Sequence, residues 1–183
     1  MIEIRNLSVK LGGKTVFSEY NTAIPDEGVV MISGESGIGK TTLLRVLCGL
    51  QKPDGGRIVG VENRKISFVF QEPRLLDHLT ALENVALVSD RTKAEKLLRE
   101  LNMENELHMK AGKLSGGQKQ RVSIARAFAF SDDVVLLDEP FTGLDEQNKQ
   151  KAARLIRTAR LAIIVSHDAE DAELLSADEK IQL

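Results

Sequence analysis

At positions 34–41 the chain reads GESGIGKT. Glycines at this spacing let successive amide N–H groups turn inward around phosphate oxygens at the start of a helix. In such a turn Lys40 reaches the β- and γ-phosphates of a nucleotide, and the Thr41 hydroxyl is a ligand for Mg²⁺. Gly34, Glu35, Ser36, Gly37, Ile38, Gly39, Lys40, Thr41 and Thr42 are therefore candidate nucleotide-binding residues. The plainer alternative is a glycine-rich turn with a chance lysine. Against it stand the apolar run GVVMIS just before and the helical stretch just after, the context that a phosphate loop requires.

A second set of groups follows apolar runs farther along. VVLLDEP puts Asp138 and Glu139 at the end of a strand-like segment, where parallel sheets deliver ligand groups. Asp138 is placed to hold Mg²⁺ through water, and Glu139 to polarise an attacking water as general base. IIVSHD sets His167 at another strand exit, able to bond the γ-phosphate and share the water with Glu139. Gln71 follows SFVF; its amide can ligate Mg²⁺ and sense the same water. Each acid or imidazole alone could simply end a strand in solvent, and His78 and His108 have no comparable setting. A further anion-seeking turn, LSGGQKQR, begins at Leu114. Ser115, Gly116, Gly117 and Gln118 open a helix there, giving backbone donors and a positive helix end. Helix capping explains the serine but not both glycines.

These groups need a frame, and the pattern supplies one. Short β-branched runs alternate with helical stretches, which argues for an α/β fold with a mostly parallel central sheet. Residues 2–10 and 14–20 flank Gly12 and Gly13 as an antiparallel hairpin; 28–33, 134–138 and 161–166 read as buried strands. KISFVF is a further strand, and PDGGRIVG is a turn into a short one. GKTTLLRVLCGL is a helix stopped near Gly49, and 145–160 another. From about 72 to 113 the β signal vanishes, and Ala94, Leu97, Leu98 and Leu101 share one helical face. The expected architecture is one domain over 1–183, its α/β core interrupted by a compact helical insert at about 72–130.

Composition narrows the partners. A net charge of −2 provides no basic field for nucleic acid or an anionic membrane. No apolar run is long enough for a spanning helix, and the start lacks an apolar signal core. One cysteine, Cys48, excludes an internal disulfide, so a cytosolic setting is expected.

Taken in order, these segments resemble the nucleotide-binding domain of ABC-type ATPases along nearly the whole chain. GESGIGKTT is similar to the Walker A loop, Gln71 to the Q-loop, LSGGQ to the family signature and VVLLDE to Walker B. TGLD, ending in Asp145, resembles the D-loop, and His167 the switch histidine. The resemblance implies a P-loop NTPase core with an N-terminal antiparallel β subdomain. It also implies ATP and Mg²⁺ as cofactors and a head-to-tail pairing with a second copy or a paralogous ATPase. Each signature turn, with Asp145, would then complete the partner's ATP site, which accounts for a second anion-seeking turn. Two departures stand out. Leu11 occupies the position where relatives stack an aromatic ring on adenine, leaving apolar contact without π-stacking. The chain also stops at DEKIQL, earlier than is usual, with no room expected for a C-terminal regulatory domain.

The resemblance favours the ATPase subunit of a transporter, peripheral on the inner face of the cell membrane through separate permease subunits. Those would dock near residues 71–79, where Leu75, Leu76 and Leu79 offer apolar contact. This stretch and DEPFTGLD most resemble importer ATPases of the nitrate, sulfonate and taurine type. The alternatives are a soluble ABC ATPase in cytosolic assembly of the iron–sulfur kind and an ATP-gated clamp that does not hydrolyse.

Overall fold

The computed structural model describes residues 1–183, apart from the side chain of Ala169. Strand β1 (Ile2–Leu11) turns through Gly12 and Gly13 into β2 (Lys14–Ile24), and the two pair antiparallel. Strand β4 (Gly55–Val59) joins the other edge of β1, giving the order β2-β1-β4. The hairpin extends four residues past the expected 14–20 because Ile24 pairs with Ile2, and both are buried. Register shifts between Ile4 and Lys10 break the alternation that would have marked the longer strand.

The second sheet is parallel. It is built from β3 (Gly28–Ser33), β5 (Ile66–Val69), β6 (Val134–Asp138), β7 (Leu161–Val165) and β8 (Glu179–Gln182), in the order β5-β6-β7-β3-β8. Strands β6 and β7 are buried at every position, so they read as continuous apolar runs rather than alternating ones. Their side chains divide strictly between two cores. Val134, Leu136, Leu161 and Ile163 join Ile2, Ile4, Leu7, Val9, Leu43 and Leu44, from the antiparallel sheet and α1 (Lys40–Leu47). Val135, Leu137, Ala162 and Ile164 point the other way, toward the remaining helices. Strand β8 was not legible in the sequence: Ile181 is its one buried residue, too little for a period.

Between β5 and β6 lies the helical insert: α2 (Ala81–Ala86), α3 (Arg91–Glu100), a 3₁₀ turn at Ala111–Lys113 and α4 (Gly116–Phe130). As expected, Ala94, Leu97, Leu98 and Leu101 face its core. Thr80 and Glu83 form a reciprocal capping box at α2, the kind of cap whose loss costs about 1 kcal/mol. After β6 comes α5 (Glu146–Ile156), shorter than the 145–160 expected, since Asp145 caps its start and Arg157 its end. Helix α6 (Ala169–Leu174) precedes β8.

Candidate nucleotide site

The carboxyl ends of β3, β5, β6 and β7 lie along one edge of the parallel sheet, and the loops leaving them form a cleft of about 230 Å³. Its walls are Ser36, Gly37, Gly39, Lys40, Thr41 and Thr42 from the loop after β3, Gln71 after β5, Asp138 and Glu139 at the end of β6, and Val165. Four segments far apart in the chain thus converge on one pocket because parallel strands all exit on the same side.

The glycine loop is seated on the hairpin. Gly39 has φ +120°, and a Cβ there would lie 2.7 Å from Val16 Cγ1 and 2.9 Å from Phe17 Cζ. Only glycine fits both the backbone angle and the space. Val16 and Phe17 thereby fix the loop's height above the sheet, a supporting role that the sequence did not reveal. Lys40 is buried, and its Nζ donates to the carbonyls of Gly34 (2.7 Å) and Glu35 (3.0 Å), which holds the ammonium over the loop. Leu11, at the hairpin tip opposite Lys14, is 38% exposed and is not part of the cleft wall.

The oxygen donors proposed for a cation come together. Thr41 Oγ1 donates to Asp138 Oδ2 at 2.8 Å, and Gln71 lines the same cleft. Asp138 is 3% exposed; burial, reinforced by the neighbouring Glu139 charge, pushes its pKa up against the Thr41 hydrogen bond. An all-oxygen set with one buried carboxylate suits Mg²⁺, which binds through one or two carboxylates, waters and substrate phosphates. Among the described residues there is no cluster of three or more His, Cys, Asp or Glu that would favour a zinc-like site.

Glu139 takes φ +51°, a left-handed conformation rare for a non-glycine residue, with its N–H held by the Val165 carbonyl. With that backbone angle its carboxylate meets His167, whose Nδ1 lies 2.9 Å from Glu139 Oε2. The hydrogen bond and charge of Glu139 raise the imidazole pKa above its usual 6.5. Behind His167, Ser166 Oγ donates to the buried Asp171 Oδ2 at 2.5 Å and accepts from the Asp168 N–H. Lys149 of α5 lies 3.9 Å from Asp168 and 4.0 Å from Asp171. These ties orient the loop that carries the histidine; no motif pointed to them.

Ser115, Gly116, Gly117, Gln118 and Asp145 lie outside the cleft wall and form a second cluster. Ser115 caps α4 in a reciprocal box with Gln118, whose amide also donates to Glu106. A Cβ on Gly117 would collide with the Gly143 carbonyl, whereas one on Gly116 would meet nothing within 4 Å. Internal packing therefore explains Gly117 and leaves Gly116 facing open space. Both carboxylate oxygens of Asp145 are taken by Asn148, through its backbone N–H and its side-chain amide, each at 2.9 Å.

Known proteins resemble this chain over most of its length. The family model described as ABC transporter matches residues 17–142. A sulfate/thiosulfate import ATP-binding protein of Synechocystis is 36% identical over 93% of this chain, covering 55% of the relative. One described as probable, from Chlorella vulgaris, is 37% identical over 97% of this chain and 85% of its own length. The counterpart from Escherichia coli K12 is 34% identical, with 54% of its length covered. The chain thus spans a little over half of these bacterial relatives. A dimeric post-hydrolysis structure of the ATP-binding cassette MJ0796 with ADP and phosphate superposes with a TM-score of 0.87 at 30% identity, over 100% of this chain and 94% of that one. A second dimeric structure of MJ0796, a bacterial ABC transporter cassette, gives 0.84.

Proposed function

This chain belongs to the ABC transporter family, and from that premise we propose that it is an ATP-hydrolysing subunit that works as a head-to-tail dimer to drive a separate membrane permease. The domain assignment is one ABC-type ATP-binding domain over 1–183, with its helical insert at about 72–130. The observation that carries the reading is the division of the site. The phosphate loop, Asp138 and Glu139 share one cleft, with His167 bonded to Glu139 beside it, while Gly116 opens a capped helix toward empty space. A helix end that seeks an anion but meets none in its own subunit is completed by a two-fold partner, twice over.

In the closed pair the loop amides and Lys40 bind the ATP phosphates, and Thr41, Asp138 and Gln71 hold Mg²⁺. Bound there, the cation neutralises charge on the phosphates. Glu139 accepts the proton of the attacking water, and His167, held on Glu139, is placed to bond the transferred phosphoryl oxygens. Leu11 gives the adenine apolar contact. Gly116 and Gly117 of the other subunit donate backbone N–H groups as the phosphate charge develops. The 2.9 Å contact between Glu139 and His167 favours a hydrolase over a clamp that only binds.

Docking of the permease is assigned to residues 71–79. Leu76 is 43% exposed, while Leu75 packs on the insert's core, so the leucines divide between contact and packing. Asn84 clamps the Leu76 backbone through both its amide oxygen and its nitrogen. Arg74 stacks 4.2 Å over Phe70 beside a second cleft that shares Thr41, Gln71 and Asp138 with the first. Asp77, in turn, pairs with Lys119 of α4 at 3.5 Å, linking this segment to the signature helix. The relatives named for sulfate and thiosulfate import make an oxyanion importer the favoured system, with this subunit peripheral on the inner face of the membrane.

The test is Glu139→Gln, which keeps shape and removes the base. Turnover should fall by about 10²- to 10⁴-fold, and MgATP should convert the protein to a dimer on sizing. A monomer at saturating MgATP, with binding confirmed, would overturn the paired-site reading.

A further inference from the structure

The second cluster holds a group that the reaction scheme leaves unused. Arg121, one turn beyond the signature glycines on α4, is 8% exposed. Its Nη1 donates to the carbonyls of Leu101 (2.9 Å) and Asn102 (2.7 Å) at the end of α3, and to Asn148 Oδ1 (3.1 Å) on α5. No carboxylate lies within ion-pair distance of this guanidinium among the described residues. Asn148 in turn donates to both carboxylate oxygens of Asp145, the last residue of TGLD, through its backbone N–H and its side-chain amide. The chain of bonds therefore runs from α4 through Arg121 and Asn148 to the Asp145 carboxylate.

One turn earlier on α4 the helix touches the TGLD loop directly. The Gly117 backbone lies against Gly143, with Gly143 so close that no side chain fits between them. The signature turn and the TGLD loop are thus joined twice, once by backbone packing and once by a buried cation. Burying this guanidinium costs desolvation, which lowers its pKa against the opposing charges of Glu106, Asp145 and Glu104, and a purely apolar residue would pack α4 against α3 more cheaply. What the guanidinium adds is direction: three acceptors from two other helices fix the rotation of α4 about its axis.

We infer that Arg121, acting through Asn148, is a positioning residue that makes residues 115–117 and 142–145 of one subunit move as a single body against the partner. The inference rests on the paired-site reading above. Both segments then meet the partner's nucleotide in one step. An error in the loop would misplace the signature amides, and an error in the turn would misplace the loop.

Substitutions at Asn148 separate this role from folding. Asn148→Leu leaves the Arg121 bonds to α3 intact and cuts its link to Asp145. Asn148→Asp keeps an acceptor for Arg121 but sets a second negative charge against Asp145. Lys151→Met is the control: Lys151 donates to Asn102 Oδ1 at 2.9 Å, tying α5 to α3 without touching Asp145. Each is made in the full chain, with and without Glu139→Gln. Both Asn148 variants should bind MgATP as monomers like the parent. Their MgATP-driven dimer should weaken by about 5- to 10-fold, the scale of one buried polar bond, and kcat should fall with KM little changed. Lys151→Met should lower the melting midpoint yet leave the dimer tight. Parent-like dimers and kcat in both Asn148 variants, or an equal loss from Lys151→Met, would overturn the inference. A Glu139→Gln protein that never dimerises would instead remove the paired-site reading itself.

Discussion

Adjacent glycines in the signature turn should respond to alanine with opposite signs. Gly116 is the first residue of α4, is exposed, and has open space where a Cβ would stand. Its backbone angle is not in the left-handed region, so alanine there restricts the unfolded chain without strain and should stabilise the isolated subunit by about 0.4–1 kcal/mol. For a domain of this size that is a rise in Tm of roughly 1–4 °C. Gly117, one residue on, faces the Gly143 carbonyl and Leu144 Cδ2. Alanine there overpacks a backbone contact, which costs about 1–3 kcal/mol, against a helix-propensity gain of up to about 1 kcal/mol. The net is a loss of up to about 3 kcal/mol. Denaturant or thermal unfolding of nucleotide-free protein reads both. The same two variants, placed in Glu139→Gln and sized with MgATP, read the interface. Gly116→Ala should be the more stable protein and the poorer dimer, because the space its methyl enters is where the partner's phosphate is proposed to sit. A Gly116→Ala protein that is destabilised, or that dimerises like its parent, would mean that Gly116 does not face a phosphate across the pair.

Other expectations follow from single contacts. The raised pKa of His167 makes its pairing with Glu139 ionic below the usual 6.5; that contribution is lost as pH rises through the elevated value. An imidazole NMR titration should therefore show a midpoint above 6.5 in the parent and a lower one in Glu139→Gln. Ser166→Ala leaves the buried Asp171 without its hydroxyl donor, and equilibrium unfolding should show a loss of about 1–3 kcal/mol. Leu76→Glu should leave folding and ATP-dependent dimerisation unchanged, since the side chain is exposed, while abolishing recovery of a polytopic membrane protein with the tagged subunit.

How much of this was legible beforehand differs from residue to residue. The phosphate loop, Asp138 and the apolar strands β3, β6 and β7 were plain because their signals are local: a fixed spacing of glycines, lysine and threonine, or a run of buried side chains. The order of the strands was not, since hydrophobic runs do not state their neighbours. Only the packed sheet brings Gln71, Asp138 and Val165 to one edge.

Local sequence already held the chemistry on offer: anion-binding amides, a cation-holding hydroxyl and carboxylate, a candidate base and a histidine. Tertiary structure decided which of these meet. It turned Glu139 through a left-handed backbone angle toward His167, seated Gly39 on Val16 and Phe17, and gave Gly117 a partner while leaving Gly116 none. It also tied Asp145 to Arg121 through Asn148, which lies 27 residues beyond Arg121 in the chain. The physical reason is one of range. Propensity and spacing act over a few residues, whereas steric fit and buried hydrogen bonds join whatever the fold brings within about 4 Å.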